Sequence, residues 1–276
     1  MKLGLIGFPL THTVSPAMHQ AALEAAGLSG SYRALETPPA FLRARLEEVR
    51  RDYTGVNVTI PHKESVQPYL DELSAEAKAI GAVNTVLNDR GRLLGYNTDA
   101  AGFIAGLDEA GIPYRGKQAL VLGAGGAARA VVYALREQGA WVAVYNRSLE
   151  RAQALAQDLG VRWVGPALLK EAVQGCDLLV NATSVGMKDP LASPLPEGLL
   201  PRRGVVVDIV YNPLETRLLR EAQAAGLRVL GGLPMLVWQG ALAFELWTGL
   251  KPDVGAMYRA AHAVLAGASP ESQSAG

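Results

Sequence analysis

Short runs of apolar residues alternate along the chain with longer stretches in which apolar residues recur every three or four positions. A run of four to six apolar residues bounded by turn-forming residues indicates a buried strand, and the wider spacing indicates a helix with one apolar face. Alternation of the two from end to end is typical of an α/β protein with parallel sheets covered by helices. We therefore predict this fold class, divided into two domains.

The first domain is predicted to be an α/β unit over residues 1–100. Its predicted strands are Leu3–Gly7, Ser31–Glu36, Gly55–Thr59 and Ala82–Asn88, and its predicted helices are Pro16–Ala26, Pro39–Val49 and Leu73–Ile80. Ser15 before Pro16 predicts a helix N-cap followed by proline at the first helical position.

The second domain is predicted over residues 101–235, with the helix Thr98–Ala110 connecting the two. Its predicted strands are Ala119–Leu122, Trp141–Tyr145, Asp177–Asn181, Val205–Ile209 and Arg228–Leu230. Two later helices, Met235–Thr248 and Pro252–Leu265, are expected to pack at the domain junction or on the first domain, so residues 236–265 are assigned to it. Residues 266–276 are small and polar, which predicts a frayed tail.

Composition narrows the choice of compartment and partner. The 276 residues carry a formal net charge of +0, which gives no sign of nucleic-acid binding. No apolar run is long enough to cross a bilayer, and the strand-like start lacks the features of a signal peptide. Cys176 is the single cysteine, which excludes an internal disulfide and predicts a reducing compartment. We expect a cytoplasmic protein with a small-molecule substrate and no membrane partner; a homodimer is left open.

A glycine-rich turn follows an apolar strand within Gln118–Ala128. The segment reads Gln-Ala-Leu-Val-Leu-Gly-Ala-Gly-Gly-Ala-Ala, a strand that leads into G-x-G-x-x-A. Gly123 is expected to make the tight turn, Gly125 to let the backbone approach a pyrophosphate, and Ala128 to allow close packing of helix and strand. Strand, turn, helix and second strand occur in the order that dinucleotide binding requires, so a turn serving packing alone is the weaker interpretation.

The end of the second strand predicts which dinucleotide binds. Tyr145-Asn146-Arg147-Ser148 stands where an NAD site usually carries an acidic residue, and Arg151 follows one helical turn later. A guanidinium pairs bidentately with a 2′-phosphate, whereas a carboxylate repels it. Solvated surface arginines are the alternative, but the position at the strand end favours NADP.

Polar residues of the first domain cluster at predicted strand ends and loops, where open α/β sheets bind ligands. They form four groups: His12–Pro16, Asn57–Lys63, Gly81–Thr85 and Gly95–Asp99. Caps, turns and solvated lysines explain each group taken alone. Together, the hydroxyls, amides, one lysine and one aspartate indicate a site for a small polyhydroxylated acid.

These segments, together with Asn181–Met187, Asp208–Pro213 and Gly232–Gln239, occur in the order of a known family. The chain resembles the shikimate dehydrogenases over nearly its whole length. The resemblance implies an N-terminal α/β substrate domain, a Rossmann-like dinucleotide-binding domain and a cleft between them. It also implies the activity, which is NADPH-dependent, reversible reduction of 3-dehydroshikimate to shikimate in aromatic amino acid biosynthesis.

The resemblance further implies roles for individual residues. Lys63 and Asp99 match the catalytic pair, and Thr13 and Ser15 match contacts to the substrate carboxylate. The residues that match contacts to the hydroxyls or ring face are Thr59, Asn84, Tyr211 and Gln239. The implied NADP site comprises Gly123, Ala124, Gly125, Gly126, Ala127, Asn146, Arg147, Ser148 and Arg151, with Thr183, Ile209 and Gly232 near the nicotinamide end.

In the implied mechanism a Lys63 ammonium stabilises the negative charge that develops on the carbonyl oxygen and donates a proton to it. A neighbouring Asp99 keeps that ammonium charged, which suits reduction and makes Lys63 a poor base for oxidation unless desolvation offsets it. A helix cap is the alternative role of Asp99.

Two residues depart from the family pattern. Thr13 stands where many members carry serine, which keeps the hydroxyl, and His62 stands where phenylalanine is frequent. We expect the His62 side chain to point away from the site. Histidine spacing predicts no metal site. Alternatives are a quinate/shikimate dehydrogenase of broader specificity, a methylene-tetrahydrofolate-type dehydrogenase, and a non-catalytic NADP sensor on the same fold.

Overall fold

A computed structural model describes residues 1–11 and 13–267 of the chain. Most of the predicted tail, from residue 268 onward, therefore lies outside the described residues, as does His12. Within the described ranges the chain forms twelve strands and ten α-helices. None of these helices is both long and apolar enough to cross a membrane.

The chain divides into two compact units. The first comprises Met1–Thr98 and the chain from Val237 onward, and the second comprises Asp99–Leu236. The helix predicted to connect the domains begins at Asp99 and belongs entirely to the second unit. The sequence-based boundaries at 100/101 and 235/236 differ from the observed ones by two residues or fewer.

A six-stranded sheet in the order β2-β1-β3-β5-β6-β4 forms the centre of the first unit. Its strands are β1 (Lys2–Gly7), β2 (Ser31–Glu36), β3 (Gly55–Val58), β4 (Glu72–Leu73), β5 (Thr85–Asp89) and β6 (Arg92–Tyr96). Its helices up to Thr98 are α1 (Ser15–Ala25), α2 (Leu42–Asp52) and α3 (Ala75–Ile80), with short 3₁₀ turns at Pro39–Phe41 and Gln67–Tyr69.

The sheet of this unit is mixed, because β5 runs antiparallel to both β3 and β6. A tight hairpin joins β5 to β6, and in it Arg90 and Gly91 have φ values of 53° and 90°. Two successive positive φ values are typical of the type I′ turn, whose twist matches that of paired strands. The sequence prediction missed β6 because only the glycine there signals a turn.

A fully parallel six-stranded sheet in the order β12-β11-β10-β7-β8-β9 forms the second unit. Its strands are β7 (Gln118–Leu122), β8 (Trp141–Tyr145), β9 (Arg162–Trp163), β10 (Leu178–Asn181), β11 (Val205–Asp208) and β12 (Arg228–Leu230). The accompanying helices are α4 (Asp99–Glu109), α5 (Gly126–Glu137), α6 (Leu149–Leu159), α7 (Leu169–Gly175) and α8 (Arg217–Ala224).

Both faces of this second sheet are buried. Val121, Val144 and Val180 pack on one side, whereas Leu120 and Leu179 pack on the other. Continuous apolar strands are typical of parallel sheets covered by helices, because successive side chains point to opposite faces and both faces are enclosed. The arrangement brings the carboxyl ends of six parallel strands to one edge.

Two helices return the chain to the first unit. α9 (Leu233–Thr248) begins in the second unit and ends in the first, and α10 (Val254–Gly267) packs against α1. The Trp247 indole Nε1–H donates to the carbonyl of Val86 over 3.0 Å, which attaches α9 to β5. The late helices thus complete the first unit.

Candidate functional site

The carboxyl ends of β1 and β3 lie side by side in the first unit. The Phe8 N–H donates to the Ile60 carbonyl over 3.0 Å, and the Thr59 N–H donates to the Ile6 carbonyl over 2.8 Å. A Cβ at Gly7 would lie 2.5 Å from Thr59 Cγ2, so the close approach requires glycine. The segment that carries Thr59 is therefore fixed against the segment that leads into α1.

Thr13 and Ser15 mark the start of α1. The Ser15 N–H donates to Thr13 Oγ1 over 3.3 Å, and Ser15 is the first helical residue, with Val14 in the cap position. The prediction that Ser15 is the N-cap is thus wrong by one residue, because the Thr13 hydroxyl already accepts a hydrogen bond from the helix start. Both hydroxyls lie where unpaired N–H groups favour an anion.

Lys63 is half-buried, and its backbone is hydrogen-bonded to the segment that precedes β5. Its carbonyl accepts a hydrogen bond from the Val83 N–H over 2.8 Å. The preceding residue, His62, is buried, and its Nε2 lies 2.7 Å from the carbonyl oxygen of Thr37. A carbonyl only accepts, so this nitrogen carries the hydrogen. The imidazole of His62 is therefore held inside the first unit by Thr37.

Two residues predicted to bind substrate, Asn84 and Gln239, meet although they are far apart in the chain. Asn84 Nδ2 donates to Gln239 Oε1 over 3.2 Å, and both side chains are buried. Asn84 Nδ2 also donates to Thr98 Oγ1 over 2.9 Å. The pair presents amide groups of the kind that recognise hydroxyls.

Sequence reasoning assigned no role to three buried polar residues around this amide pair. Asn57, Thr85 and Thr98 are each 7% exposed or less and are linked to Asn84 by hydrogen bonds. The signal that marks Asn57 is an amide in the middle of the short apolar strand Gly55–Val58. A polar residue in such a strand needs a buried partner.

Asp99 and Tyr211 belong to the second unit. Asp99 is the first residue of α4 and is 3% exposed. It directly follows Thr98, whose N–H donates to Asn84 Oδ1 over 2.7 Å. Tyr211 is half-buried, three residues beyond the end of β11. The partnership of Asp99 with Lys63 stays a prediction.

The glycine-rich turn of the second unit joins β7 to α5. Gly123 has φ of 119°, and a Cβ there would lie 2.9 Å from the Ala182 carbonyl oxygen. Gly125 is the N-cap of α5, and a Cβ there would meet no described atom within 4 Å. Ala128 is fully buried. Gly123 is thus required by the backbone, whereas Gly125 leaves open space in front of the helix amides.

This turn fits a dinucleotide. Ala124, Gly126 and Ala127 complete the segment with small side chains, so backbone N–H groups at the start of a twelve-residue helix are exposed to a phosphate. Helix N-termini attract negative charge through these amides and the helix dipole. A pyrophosphate site at this turn stays a prediction, and the open helix start is compatible with it.

Beyond β8, the segment with the expected 2′-phosphate residues is held in a compact turn. Asn146 Nδ2 donates to the Ser148 carbonyl over 2.9 Å, and Ser148 Oγ caps α6 by accepting the Arg151 N–H. Arg147 is exposed. Ser148 Oγ also donates to Glu150 over 2.9 Å, and the pKa of Glu150 is lowered by a backbone hydrogen bond and by Ser148. The sequence prediction overlooked Glu150, which gives this predominantly basic turn one negative charge.

Thr183 and Ile209, at the expected nicotinamide end, are both attached to Asn181. Thr183 Oγ1 donates to Asn181 Oδ1 over 2.7 Å, and the Ile209 N–H donates to the Asn181 carbonyl over 3.0 Å. A Cβ at Gly232 would lie 2.1 Å from the Ile209 carbonyl oxygen, so only glycine fits. The three predicted residues thus follow the carboxyl ends of β10, β11 and β12, at one edge of the sheet.

A buried carboxylate supports this strand edge. Asp208 is fully buried and accepts hydrogen bonds from Asn181 Nδ2 at 2.9 Å, the Val210 N–H at 3.0 Å and Thr216 Oγ1 at 2.7 Å. Burial raises the pKa of Asp208, and the three donors oppose that rise. The sequence prediction did not single out Asp208, although it ends a run of three valines.

Within residues 1–11 and 13–267, no group of three or more His, Cys, Asp or Glu side chains has the geometry of a metal site. The Cys176 thiol is buried and donates to the Val173 carbonyl, and burial raises its pKa to about 12. A thiol held protonated in this way is a packing residue and not a nucleophile.

Three family models match the chain. The shikimate dehydrogenase substrate binding domain matches residues 5–86, the shikimate / quinate 5-dehydrogenase model matches residues 108–194, and the shikimate 5′-dehydrogenase C-terminal domain matches residues 232–262. Together they span both units.

Individual relatives are similar over almost the whole chain. The shikimate dehydrogenase (NADP(+)) of Thermus thermophilus is 57% identical over 265 residues, which are 96% of this chain and 99% of the relative. A crystal structure of shikimate 5-dehydrogenase from Thermus thermophilus, in complex with NADP(H) and shikimate, is 55% identical and has a TM-score of 0.91. The match covers 96% of this chain and 100% of that chain. Quinate dehydrogenase from Corynebacterium glutamicum in complex with NAD is 35% identical, with a TM-score of 0.87 and coverage of 95% and 99%.

Proposed function

The chain belongs to the shikimate dehydrogenase family, and we propose that the residues described above carry out the NADP-dependent, reversible reduction of 3-dehydroshikimate to shikimate. The resemblance inferred from the sequence is confirmed. The reaction is a step of aromatic amino acid biosynthesis. The roles of the individual residues in this reaction are our proposal.

The substrate carboxylate binds at the start of α1. Thr13 and Ser15 supply hydroxyl donors there, beside the unpaired N–H groups of the first helical turn. An anion at this position interacts favourably with both the hydroxyls and the helix dipole. The methyl group by which Thr13 differs from serine leaves the hydroxyl in place.

The ring hydroxyls of the substrate bind to amides and to one further hydroxyl. Asn84 and Gln239 form a buried pair, and Thr59 extends from the end of β3. Tyr211 provides an aromatic face for the ring. A site built to hydrogen-bond hydroxyls rejects analogues that lack them, since its own buried polar groups then lose their partners.

Lys63 is the proton donor in the reduction and the proton acceptor in the oxidation. Bound NADPH supplies the hydride that reduces the C3 ketone. The Lys63 ammonium stabilises the negative charge on the former carbonyl oxygen and donates its proton to that oxygen. In the oxidative direction the Lys63 amine takes the proton back from the substrate hydroxyl. Asp99, at the start of α4, is the second residue of the proposed catalytic pair.

The cofactor is held by the second unit. The turn Gly123–Ala127 binds the pyrophosphate, Arg147 and Arg151 pair with the 2′-phosphate, and Asn146 and Ser148 shape the loop between them. Thr183, Ile209 and Gly232 border the nicotinamide.

The observation that carries the proposal is the buried Asn84–Gln239 amide pair in the same unit as Lys63. Two amides and a lysine suit a small polyhydroxylated ketone. They do not suit a large planar ligand, for which an aromatic slot is expected.

An absorbance assay tests the proposal. We expect NADPH formation when the protein is mixed with shikimate and NADP, and much slower reaction with quinate or with NAD. Equal rates with quinate and NAD would instead support the broader quinate/shikimate dehydrogenase. No turnover of any pair would leave only the sensor alternative.

Arg147→Ala tests the cofactor assignment. Loss of a charge-assisted pair with the 2′-phosphate is expected to raise the KM for NADP about 10–100-fold and to leave the KM for NAD nearly unchanged. Arg162→Ala is the matched control, since Arg162 is an exposed arginine on the neighbouring strand β9. Parallel changes in both cofactors would remove Arg147 from the 2′-phosphate site.

We also propose that the protein works in the cytoplasm, which its single cysteine supports. Homodimer formation is the proposal for its assembly, and the mass measured by light scattering across a concentration series decides between monomer and dimer.

A further inference from the structure

A chain of hydrogen bonds passes through buried side chains next to Asn84. Tyr32, Asn57 and Thr85 form it, with exposed fractions of 5%, 5% and 0%. They come from β2, β3 and β5, and in the sheet register Asn57 lies directly opposite Thr85. Polar groups at this depth persist only when they are hydrogen-bonded. The connections among them therefore define a fixed arrangement.

Two backbone groups determine which end of each amide points where. The Asn84 carbonyl only accepts, so the Asn57 atom 3.2 Å away is Nδ2, and Asn57 Oδ1 consequently faces the Tyr32 hydroxyl, which donates over 2.8 Å. The Thr98 N–H only donates, so the Asn84 atom 2.7 Å away is Oδ1. If either amide were flipped, two acceptors or two donors would face each other, so only these orientations allow the hydrogen bonds.

Thr85 joins the two amides. Its hydroxyl accepts from Asn57 Nδ2 over 3.1 Å and donates to Asn84 Oδ1 over 3.0 Å. The direction of donation is thus the same from Tyr32 through Asn57 and Thr85 to Asn84. With Oδ1 held by Thr85 and by the Thr98 N–H, Asn84 turns its Nδ2 towards Gln239 Oε1 at 3.2 Å.

We propose that Asn57 and Thr85 are positioning residues, which hold the Asn84 amide in one orientation and thereby make Gln239 a hydrogen-bond donor towards the substrate. Because Gln239 Oε1 accepts from Asn84, the Nε2 end of the same amide is the end turned away from Asn84. The inference rests on the proposed function, in which Asn84 and Gln239 bind ring hydroxyls. It predicts selection of an oxygen acceptor and rejection of an amine at that ring position.

Thr85→Val is the decisive variant, because valine keeps the shape of threonine and suits a strand but removes the hydroxyl. We expect the KM for shikimate to rise about tenfold, because the hydroxyl that links Asn57 to Asn84 is lost, with the KM for NADP unchanged and a smaller effect on kcat. Thr85→Ser restores the hydroxyl and is expected to restore the native KM. Thr54→Val, at the opposite end of β3, is the matched control and is expected to change neither KM.

A second measurement separates positioning from general support of the fold. A shikimate analogue that lacks one of the hydroxyls bound by Asn84 and Gln239 binds the native protein more weakly than shikimate. That difference is expected to shrink in Thr85→Val, since the variant has already lost the ordered amide. If Thr85→Val does not fold, as judged by circular dichroism, Tyr32→Phe decides. It removes only the first donor, and at least a threefold rise in the KM for shikimate is expected.

Failure of the inference is distinguishable from failure of the proposed function. A native protein that does not oxidise shikimate with NADP contradicts the proposed function itself. An active native protein whose folded Thr85→Val variant keeps the shikimate KM within twofold, or loses affinity for shikimate and NADP together, contradicts the positioning roles alone.

Discussion

Lys63 is the residue on which the proposed chemistry depends most. Lys63→Met keeps the length and apolar stem of the side chain but removes the proton and the charge. General acid catalysis contributes about 10²–10⁴-fold, so kcat is expected to fall by about that factor while NADPH binding, measured by fluorescence titration, is spared. Lys117→Met, in the loop before β7, is the control. A loss of kcat under about tenfold would argue against a proton-transfer role.

Single residues were predictable from the sequence where their chemistry stands outside a regular pattern. Lys63, Asn84 and the glycine turn occur at strand ends, where a polar or small residue has an evident use. Asn57 and Thr85 were included in the polar groups but were given no individual role. That role depends on their contact with each other, and only the sheet register brings β3 and β5 together. Ser15 was misplaced by one position because the Thr13 hydroxyl and Ser15 compete to start the same helix.

Secondary-structure elements in the second unit depend on polar residues at their ends. Thr216 Oγ1 donates to the buried Asp208 carboxylate over 2.7 Å and caps α8 by accepting the Leu219 N–H. One hydroxyl thus links the end of β11 to the start of a helix. The loop between them carries Tyr211, so the cap also supports a residue of the proposed substrate site.

Thr216→Val is expected to lower the free energy of unfolding by about 2–4 kcal/mol, since it removes a helix cap and a hydrogen bond to a buried charged group. Urea denaturation at neutral pH measures the change. Thr216→Ser retains the hydroxyl and is expected to lose less than about 1 kcal/mol. Equal losses in the two variants would show that packing of the methyl group, and not the hydroxyl, supports this region.

Elements were predictable where apolar periodicity is strong, as in the parallel strands of the second unit. The short edge strands β4 and β9 were not predicted, since two residues give no period to detect. The hairpin β5–β6 was missed for a different reason. Its turn places a non-glycine residue, Arg90, at positive φ, which is uncommon and is stabilised here by strand pairing.

At the scale of the whole molecule, the chain carries 26 acidic and 26 basic residues. Buried titratable groups add their own pH dependence to the free energy of unfolding. His19 is such a group. Its ring stacks on Tyr32, with centroids 4.3 Å apart, and lies 5.5 Å from the Trp247 ring. Burial lowers the pKa of His19 to about 3, and Asn57 opposes the shift in part.

His19→Phe is expected to flatten the acid side of the stability curve. In the native protein the unfolded chain binds a proton at His19 below about pH 6.5, whereas the folded chain does not until about pH 3. The stabilising effect of this neutral histidine is therefore complete above pH 6.5 and declines by up to about 1.4 kcal/mol per pH unit as the pH falls towards 3. Urea unfolding of both proteins at pH 7, 6, 5 and 4 measures the difference. Parallel curves would contradict the neutral, buried state of His19.

The first unit is built from two separate parts of the chain, which affects how the protein folds during synthesis. The chain leaves this unit after Thr98 and returns to it at Val237, and α1 packs against α10. On a ribosome that adds roughly 5–20 residues per second, α1 waits roughly 12–50 s for its partner helix, since the rest of the first unit and the whole second unit are synthesised in between. The contiguous second unit can fold as it emerges. α1 is thus made early and acquires its partner helix α10 late, and in that interval it is exposed to chaperones and proteases.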